Sequence, residues 1–269
     1  VYTSYLEEGV RTMQLKRLIG AMAVAGLAMP GMVLATNGMN MEGYGPIATG
    51  MGGASMAYDN GTAAMMNNPA TLSLMESKAR LDLAFGFLAP DITSSMTGMP
   101  DAKSSADLFM MPAFGYARKA GDLVYGMGIF AQGGMGTEYA ADSFLTFGSG
   151  DVVRSELGVG RLIIPVSYNV NKDFAIGGSI DYVWATLDLK MAVPGSALAG
   201  MVTNCSDGGT GTVCPPAGAL AGLAGAPWTR IDFSGGGDMN GAAKGNGFAG
   251  KIGATYKINS DFTVGATYH

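Results

Sequence analysis

The chain alternates apolar residues with small or polar residues in seven segments that begin at about residue 79. In the clearest segment, FAGKIGATYKI, the apolar Phe248, Ile252 and Tyr256 alternate with Lys251 and Thr255. The other six segments are RLDLAFGF, FMMPAFGYARK, LVYGMGIFA, GRLIIPVSYNV, FAIGGSIDYVW and FTVGATYH. A period of two predicts β-strands. Strands of about ten residues with one apolar and one small or polar face are typical of transmembrane β-barrels.

The predicted connections between these strands alternate in length. Short turns at KAGD, NKD and NSD alternate with long connections at 89–108, 132–154 and 191–245. Outer-membrane barrels show this pattern, with short periplasmic turns and long outer loops. A soluble sandwich is the alternative, and it is disfavoured because so many Gly and Ala residues on one face would fill a core poorly.

We therefore predict an all-β fold, a transmembrane antiparallel β-barrel over residues 78–269. Aromatic residues cluster at the predicted strand ends, as in interfacial girdles: Phe174, Tyr182, Trp184, Tyr256, Phe262 and Tyr268. Bacterial single-chain barrels have even numbers of strands. Because seven strands cannot close such a barrel, we expect this chain to be the N-terminal half of a longer one.

The region before the strands divides into three predicted parts. Residues 13–35 have a basic start, an apolar stretch and an A-x-A-like end at Val33-Leu34-Ala35, which predicts a secretory signal peptide cleaved after Ala35. Residues 1–12 do not fit that signal, and we interpret them as a non-native upstream extension that precedes a true start at Met13. Residues 36–77 are rich in Gly, Ala, Met and Asn, and we interpret them as a compact plug segment with Gly-Pro and Asn-Gly turns.

Composition narrows the functional classes. Charged residues make up 14% of the chain, against about 25% in typical soluble domains. The net charge of −5 disfavours a nucleic-acid partner. With one histidine, His269, the chain holds no Ser-His-Asp or Cys-His set, so we predict no enzyme, no metal site and no cofactor. Cys205 and Cys214 lie close together in an exported chain, which predicts a local loop disulfide.

The step Asn68-Pro69-Ala70 stands at the end of the plug segment. A turn is the simplest interpretation, because Pro69 restricts its own φ and disfavours the α region at Asn68. The same rigid step could instead anchor one end of a plug whose Gly-rich part moves. We favour the anchor, and Pro69→Ala should loosen the plug under either interpretation.

The stretch GYGPIATGMGGASMAYDNGTAAMMNNPATLS, with the strands and turns that follow, resembles the outer-membrane long-chain fatty-acid transporter family of the FadL type and its aromatic-hydrocarbon relatives. The resemblance covers residues 36–269 and is most specific at Asn68-Pro69-Ala70. It implies a fourteen-stranded monomeric barrel with an internal hatch, in contact with lipid in the outer membrane of a Gram-negative bacterium. The implied function is passive, hatch-gated uptake of hydrophobic molecules, with long-chain fatty acids expected first.

The resemblance also implies a kink in the third strand that opens the wall toward the membrane. Gly133, Gly134 and Gly136 lie at the outer end of that strand here, where they permit either a bulge or a plain strand-to-loop transition.

Other residues are candidates for contact with the transported molecule. Three cations are predicted to face the lumen, where each could pair with a fatty-acid carboxylate or simply line a wet interior: Arg161, Lys251 and Lys257. Three apolar residues of the third long loop could form part of a capture groove or pack within the loop: Leu220, Leu223 and Trp228.

Several alternatives to fatty-acid uptake stay open at this point. Aromatic or alkane hydrocarbons come next as substrates. A structural or adhesive barrel has no need for a Gly- and Asn-rich hatch of this length. A general porin predicts a charged lumen, whereas the predicted inner faces are mostly Gly, Ala, Ser and Thr.

Overall fold

A computed structural model describes residue 41 and residues 43–203, 221–235 and 240–269 of the chain. The predicted signal peptide, the residues before it, Leu220, Cys205 and Cys214 lie outside the described residues. The strands are β1 (Ala79–Leu88), β2 (Thr93–Ser94), β3 (Ala102–Lys103), β4 (Phe109–Ala120), β5 (Leu123–Tyr139), β6 (Val153–Asn169), β7 (Phe174–Val193), β8 (Thr229–Asp232), β9 (Ala243–Lys257) and β10 (Thr263–Tyr268).

The seven predicted strands form one antiparallel sheet. They are hydrogen-bonded in the order β1-β4-β5-β6-β7-β9-β10, with the short β8 added to β7. Strands β2 and β3 make a separate two-stranded hairpin in the first long connection. Because neighbours along the sheet are also successive long strands along the chain, the wall is an up-and-down arrangement, as in outer-membrane barrels.

The two faces of the sheet differ as the alternation predicts. The apolar residues of β1 and β9 are exposed on the outer face, as Phe85 at 66% and Phe248 at 82% illustrate. On the inner face of β9, Lys251 and Thr255 are covered, each at 3%. An exposed apolar band opposite a covered polar or small face is the arrangement that lipid requires of a barrel wall.

Several strands extend beyond the predicted segments, and this shortens two of the long connections. Strand β5 continues to Tyr139 and β6 begins at Val153, so the second connection is 140–152 rather than 132–154. Strand β7 extends to Val193 and pairs with β8. Alternation fades in these strand ends, which is why the sequence assigned them to connections.

Residues 43–77, which we call the hatch, precede β1 and contain no strand. They hold the helix α1 (Pro46–Gly50) and two 3-10 helices, η1 (Gly61–Met65) and η2 (Pro69–Leu74). The composition predicted a compact segment with turns here but did not place α1 or η2. The plug bounds 36–77 stay a prediction, since part of that range lies outside the described residues.

The buried core lies between the hatch and the inner face of the wall. Met65, Leu72 and Met75 of the hatch pack in one cluster with Val124 and Ile163 of the wall. The remaining members of this cluster are Ala64, Met66, Ala117 and Phe130, with Tyr44 and Ala113 packed against them. The hatch therefore fills the interior with apolar side chains.

The third long connection contains helix α2 (Gly195–Thr203), a 3-10 turn η4 (Ala221–Leu223) and β8. The second connection contains a further 3-10 turn, η3 (Phe144–Thr146). In the part of the chain that the structure describes, no helix has the length and apolarity to cross a membrane.

Candidate functional site

Asn68 lies at the N-terminal end of η2 and is fully buried. Its Oδ1 accepts a hydrogen bond from Ala70 N at 3.1 Å. Its Nδ2 donates to Met56 O at 2.7 Å and to Ala254 O of β9 at 3.2 Å. Pro69 occupies the first position of η2, where a missing N–H is tolerated. This one side chain joins η2 to the preceding hatch segment and to the barrel wall.

Glycines on three neighbouring strands make room for this contact. A Cβ at Gly253 of β9 would lie 2.0 Å from Asn68 Oδ1, and one at Gly177 of β7 would lie 2.6 Å from Ala70 N. At Gly265 of β10, a Cβ would lie 1.9 Å from Met56 O. The inner faces of β7, β9 and β10 therefore form a glycine surface on which the backbone of the hatch rests.

Polar side chains of the wall bind hatch carbonyls and amides at further points. Lys119 Nζ of β4 donates to Ser73 O at 3.1 Å and to Met75 O at 2.9 Å, where η2 ends. Asp82 Oδ2 of β1 accepts from Thr62 N at 2.8 Å. The hatch is thus hydrogen-bonded to β1 and β4 near one end of the sheet and to β9 near the other.

A buried ionic cluster lies on the inner face of β6, β7 and β9. Asp181 Oδ2 accepts from Arg161 at 2.7 Å and from Lys251 Nζ at 2.6 Å, while Ser179 donates to Asp181 Oδ1 at 2.6 Å. The side chains of Asp181 and Lys251 are 0% and 1% exposed. Lys251 Nζ also donates to Met65 O of the hatch at 3.0 Å. The carboxylate and its partners compensate the desolvation of one another.

The three predicted lumen cations therefore have different positions. Arg161 and Lys251 share Asp181, so the structure brings these two together. Lys257 is the last residue of β9, exposed beside the turn to β10, and it does not join them. Arg161 and Lys251 are already paired with a carboxylate of the protein, which disfavours a role for either in binding a fatty-acid carboxylate.

Tyr44 connects the start of the hatch to the wall. Its N–H and C=O form a reciprocal pair with the side chain of Asn67, at 3.0 and 2.9 Å. Its hydroxyl donates to Gln132 O of β5 at 2.8 Å. Burial raises the pKa of Tyr44, so the hydroxyl stays protonated and remains a donor over the physiological pH range.

Strand β5 contains a β-bulge at Gln132. Ala131 pairs with Gly160 of β6 and Gly133 with Val159, so Gln132 is the extra residue between them. The Gln132 side chain accepts from Arg161 Nε at 2.9 Å. Bulges bend the strand that carries them. The bulge precedes Gly133, Gly134 and Gly136, and all three glycines lie inside a strand that continues to Tyr139. A side opening at these glycines stays a prediction.

The bulge coincides with a gap in the wall. Strands β4 and β5 pair from Ala120–Leu123 up to Ala113–Phe130 and have no pair beyond that point in the described wall. The remaining residues of β4, Phe109–Pro112, still pair with β1. After Phe130, therefore, β5 follows β6 and leaves β4, and the two strands separate.

Two cavities meet at this gap. One, of about 730 Å³, is lined by Leu108, Met110, Ile129, Gly134, Gly160 and Trp184, among others. The other, of about 780 Å³, lies beside the hatch and is lined by Tyr44, Ile47, Thr62, Ala84 and further residues. Met111, Phe130 and Ala131 line both cavities. Met111 and Phe130 are 7% and 4% exposed, so their side chains form the partition between the two spaces.

The predicted loop residues lie away from these cavities. Leu223 belongs to η4, next to helix α2, and Trp228 precedes β8 with the Arg230 guanidinium 5.6 Å from its ring centre. Neither residue lines either of the two cavities at the gap. A capture groove at Leu220, Leu223 and Trp228 stays a prediction.

Sequence reasoning missed most of the residues that hold the hatch. Gly177, Gly253 and Gly265 were not singled out among the small residues of the predicted inner faces, and neither were Asp181 and Lys119. Alternation alone places them on the inner face but does not say what covers that face. A glycine at the inner position of several adjacent strands is the signal that could have indicated backbone packed against the wall.

An antiparallel wall with an apolar outer face, containing a helical hatch, defines an outer-membrane β-barrel with an internal plug. The family model described as "Outer membrane protein transport protein (OMPP1/FadL/TodX)" matches residues 25–269, and the chain belongs to that family. It is therefore a protein of the outer membrane of Gram-negative bacteria. The family is one of transport proteins rather than enzymes.

Solved structures show the same fold. The P. putida toluene transporter TodX is 30% identical with a TM-score of 0.72, over 85% of this chain and 55% of that one. The Ralstonia pickettii toluene transporter TbuX is 32% identical with a TM-score of 0.67, over 85% and 57%. A Pseudomonas aeruginosa FadL homologue shares the fold at 16% identity, with a TM-score of 0.55 over 84% and 50%.

One curated relative matches only part of the chain. An uncharacterised protein from the 5′ region of the phosphoenolpyruvate carboxykinase gene of Chlorobium limicola is 41% identical over 101 residues, which are 37% of this chain and 48% of that protein. The chain thus spans about half the length of the relatives it matches.

Proposed function

We propose that the chain forms the hatch-bearing part of a channel for passive uptake of small, uncharged hydrophobic molecules, with aromatic hydrocarbons as the first substrate class. The observation that carries this proposal is the gap between β4 and β5, which has a cavity on each side and a partition of two apolar side chains. A wall that opens sideways lets an apolar molecule leave for the membrane without crossing water.

In this proposal the molecule passes from the cavity beside the hatch, past Met111 and Phe130, to the cavity at the outer face. The Phe130 ring lies over Gly128, where a Cβ would be 2.4 Å from it, and next to Met65 of the hatch. A shift of the hatch at Met65 therefore gives the Phe130 ring space to move. Gly133, Gly134 and Gly136 follow the bulge, and Gly133 and Gly134 line the cavity at the outer face.

The charges of the inner wall favour an uncharged substrate. In the described wall, each covered cation of the inner face already has partners in the protein: Arg80 with Asp82, Arg161 and Lys251 with Asp181, and Lys119 with two hatch carbonyls. A fatty-acid carboxylate would have to displace one of these partners. The similarity to two toluene transporters also supports an uncharged substrate. We therefore place aromatic hydrocarbons before the long-chain fatty acids that the sequence suggested first.

The test is uptake of labelled toluene and labelled oleate by cells that lack their own transporters and carry the full-length gene. We expect toluene uptake well above that of empty cells and oleate uptake near background. Phe130→Trp should lower toluene uptake by enlarging the partition, and Phe130→Ala should raise it. Phe262→Trp, the same change at an exposed outer position, is the matched control and should alter nothing.

The outcomes separate the parts of this proposal. Oleate uptake equal to that of toluene would remove the preference for uncharged substrates and restore fatty acids. Toluene uptake that is equal in the Phe130→Trp, Phe130→Ala and parent proteins, at equal outer-membrane levels, would remove the side route. A folded barrel that takes up neither compound would indicate a structural barrel.

A further inference from the structure

The bonds between hatch and wall close into a continuous ring, which we call the polar ring. Its hydrogen bonds run from Tyr44 to Gln132, Arg161, Asp181, Lys251 and Met65. The backbone from Met65 to Asn67 and the bonds between Asn67 and Tyr44 close it. Its wall members lie on β5, β6, β7 and β9, which are four adjacent strands. Its hatch members lie at both ends of the hatch segment 44–67.

Burial makes the wall side of the polar ring hard to break at a single point. Asp181 is fully buried, and the Arg161 side chain is 12% exposed. Removing one partner of a buried ion pair leaves an uncompensated charge, which is strongly unfavourable. The cluster therefore moves as a unit or keeps its bonds, and Lys251 transmits the position of Met65 to Arg161.

The far end of this chain of bonds is the bulge itself. Gln132 is the extra residue of β5, and it is bonded twice within the polar ring. Its side chain accepts from Arg161 at 2.9 Å, and its backbone carbonyl accepts from Tyr44 at 2.8 Å. Gln132 follows Phe130 by two residues, so whatever shifts Gln132 also shifts the partition beside the gap.

We propose that the polar ring couples the position of the hatch to the opening of the wall, with Gln132 as the positioning residue at the bulge. This inference rests on the proposed function only for its role in uptake. The coupling itself is a property of the folded chain. When the hatch moves away from the glycine surface, Met65 and Tyr44 release Lys251 and Gln132 together. The bulge and the Phe130 side chain are then free to change position.

The test is hydrogen-exchange mass spectrometry on the full-length protein in lipid nanodiscs, comparing Tyr44→Phe, Lys251→Met and the double variant. Tyr44→Phe removes one hydroxyl at the hatch, and Lys251→Met removes the link to Met65. We expect each single variant to raise exchange roughly 10-fold both in the hatch and at residues 131–136. The double variant should add little to either single one, because the polar ring is already open.

Two controls match the chemistry without touching the polar ring. Tyr58→Phe removes another hatch hydroxyl that donates to a backbone carbonyl, at Ala54. Ser167→Ala removes a wall hydroxyl that donates to Ala70 O at 3.2 Å. Both should leave exchange at residues 131–136 unchanged. Exchange that rises only next to each substituted residue, with additive effects in the double variant, would overturn the coupling.

If the Lys251→Met protein does not fold, the Gln132→Leu variant is used instead. This substitution removes the side-chain bond to Arg161 and keeps every charge. It should raise exchange in the hatch at residues 43–50, whereas an unchanged hatch would overturn the proposal. Toluene uptake is measured in parallel. If exchange rises all around the polar ring but the parent protein takes up no toluene, the coupling stands and the proposed function fails. If exchange rises only locally and uptake is normal, the proposed function stands and the coupling fails.

Discussion

At the scale of single residues, the hatch is held by groups whose size and hydrogen bonds allow little substitution. Asn68 is fully buried and uses both the acceptor and the donor of its amide, and the glycines opposite it leave no room for a Cβ. Buried polar groups that lose a partner cost more than the bond itself contributes. The hatch is therefore sensitive to changes of a few atoms.

Asn68→Ala leaves the Met56 and Ala254 carbonyls and the Ala70 amide without their partner. We expect a loss of about 1–3 kcal/mol in the free energy of unfolding. Urea titration in detergent micelles, followed by tryptophan fluorescence, measures it. Asn67→Ala, a change of the same kind one residue earlier, should instead release Tyr44 and leave the contact with β9 intact, as hydrogen exchange can check.

Gly253→Ala places a Cβ 2.0 Å from Asn68 Oδ1. Overpacking of this kind costs about 1–3 kcal/mol, and the hatch is the partner that gives way. We expect faster hydrogen exchange in η2 and a lower urea midpoint. Gly247→Ala lies on the same strand and face with nothing within 4 Å, and it should change neither. Equal effects of the two substitutions would contradict the packing of the hatch against the glycine surface.

At the scale of elements, strand β5 decides where the wall opens. Its first half pairs with both neighbours, and after the bulge it pairs only with β6 in the described wall. A strand that gains one residue is bent away from one of its neighbours. The position of the gap therefore follows from the position of Gln132.

Deletion of Gln132 restores a continuous register between β5 and β6, from Ala131–Gly160 to Gly133–Val159. The straightened strand can pair with β4 beyond Phe130 and close the gap. We expect toluene uptake to fall to background while the barrel still reaches the outer membrane, as surface labelling would show. Deletion of the exposed loop residue Met99 is the control.

Gln132→Leu distinguishes the bulge from the side-chain bond, because it keeps the extra residue. It should preserve measurable uptake, in contrast to the deletion. Persistent uptake after the deletion would mean that the molecule leaves the barrel by another path.

At the scale of the whole molecule, the outer face must be compatible with lipid. Leu83→Arg introduces a charge into the apolar band of β1, where Leu83 is 67% exposed. A lipid-facing Arg costs about 2–4 kcal/mol at the bilayer midplane and less toward the interfaces. Folding into vesicles, measured by urea titration, should be weakened accordingly. Leu83→Ala keeps the position uncharged, and a similar loss with Ala would show that this face does not contact lipid.

The alternation of residues was sufficient to predict the long strands, their outer faces and the antiparallel wall. This information is local, because each strand residue is assigned to a face by its parity and lipid selects the apolar face. The Gly and Ala residues opposite were assigned to the interior on the same basis. Composition indicated the plug segment, and the resemblance at Asn68-Pro69-Ala70 added the family.

What the alternation did not contain is which inner residues meet each other. Asp181 lies 70 positions before Lys251 and 20 after Arg161, and no pattern along the chain marks the three as a cluster. The bulge at Gln132 likewise became visible only from the pairing of β5 with β6, since a single extra residue in a Gly-rich stretch leaves the composition unchanged. The sequence by itself determined the strands and their faces, because these depend on neighbouring residues. The tertiary structure alone decided the seat of the hatch, the polar ring and the gap, because these depend on strand register and on contacts between distant residues.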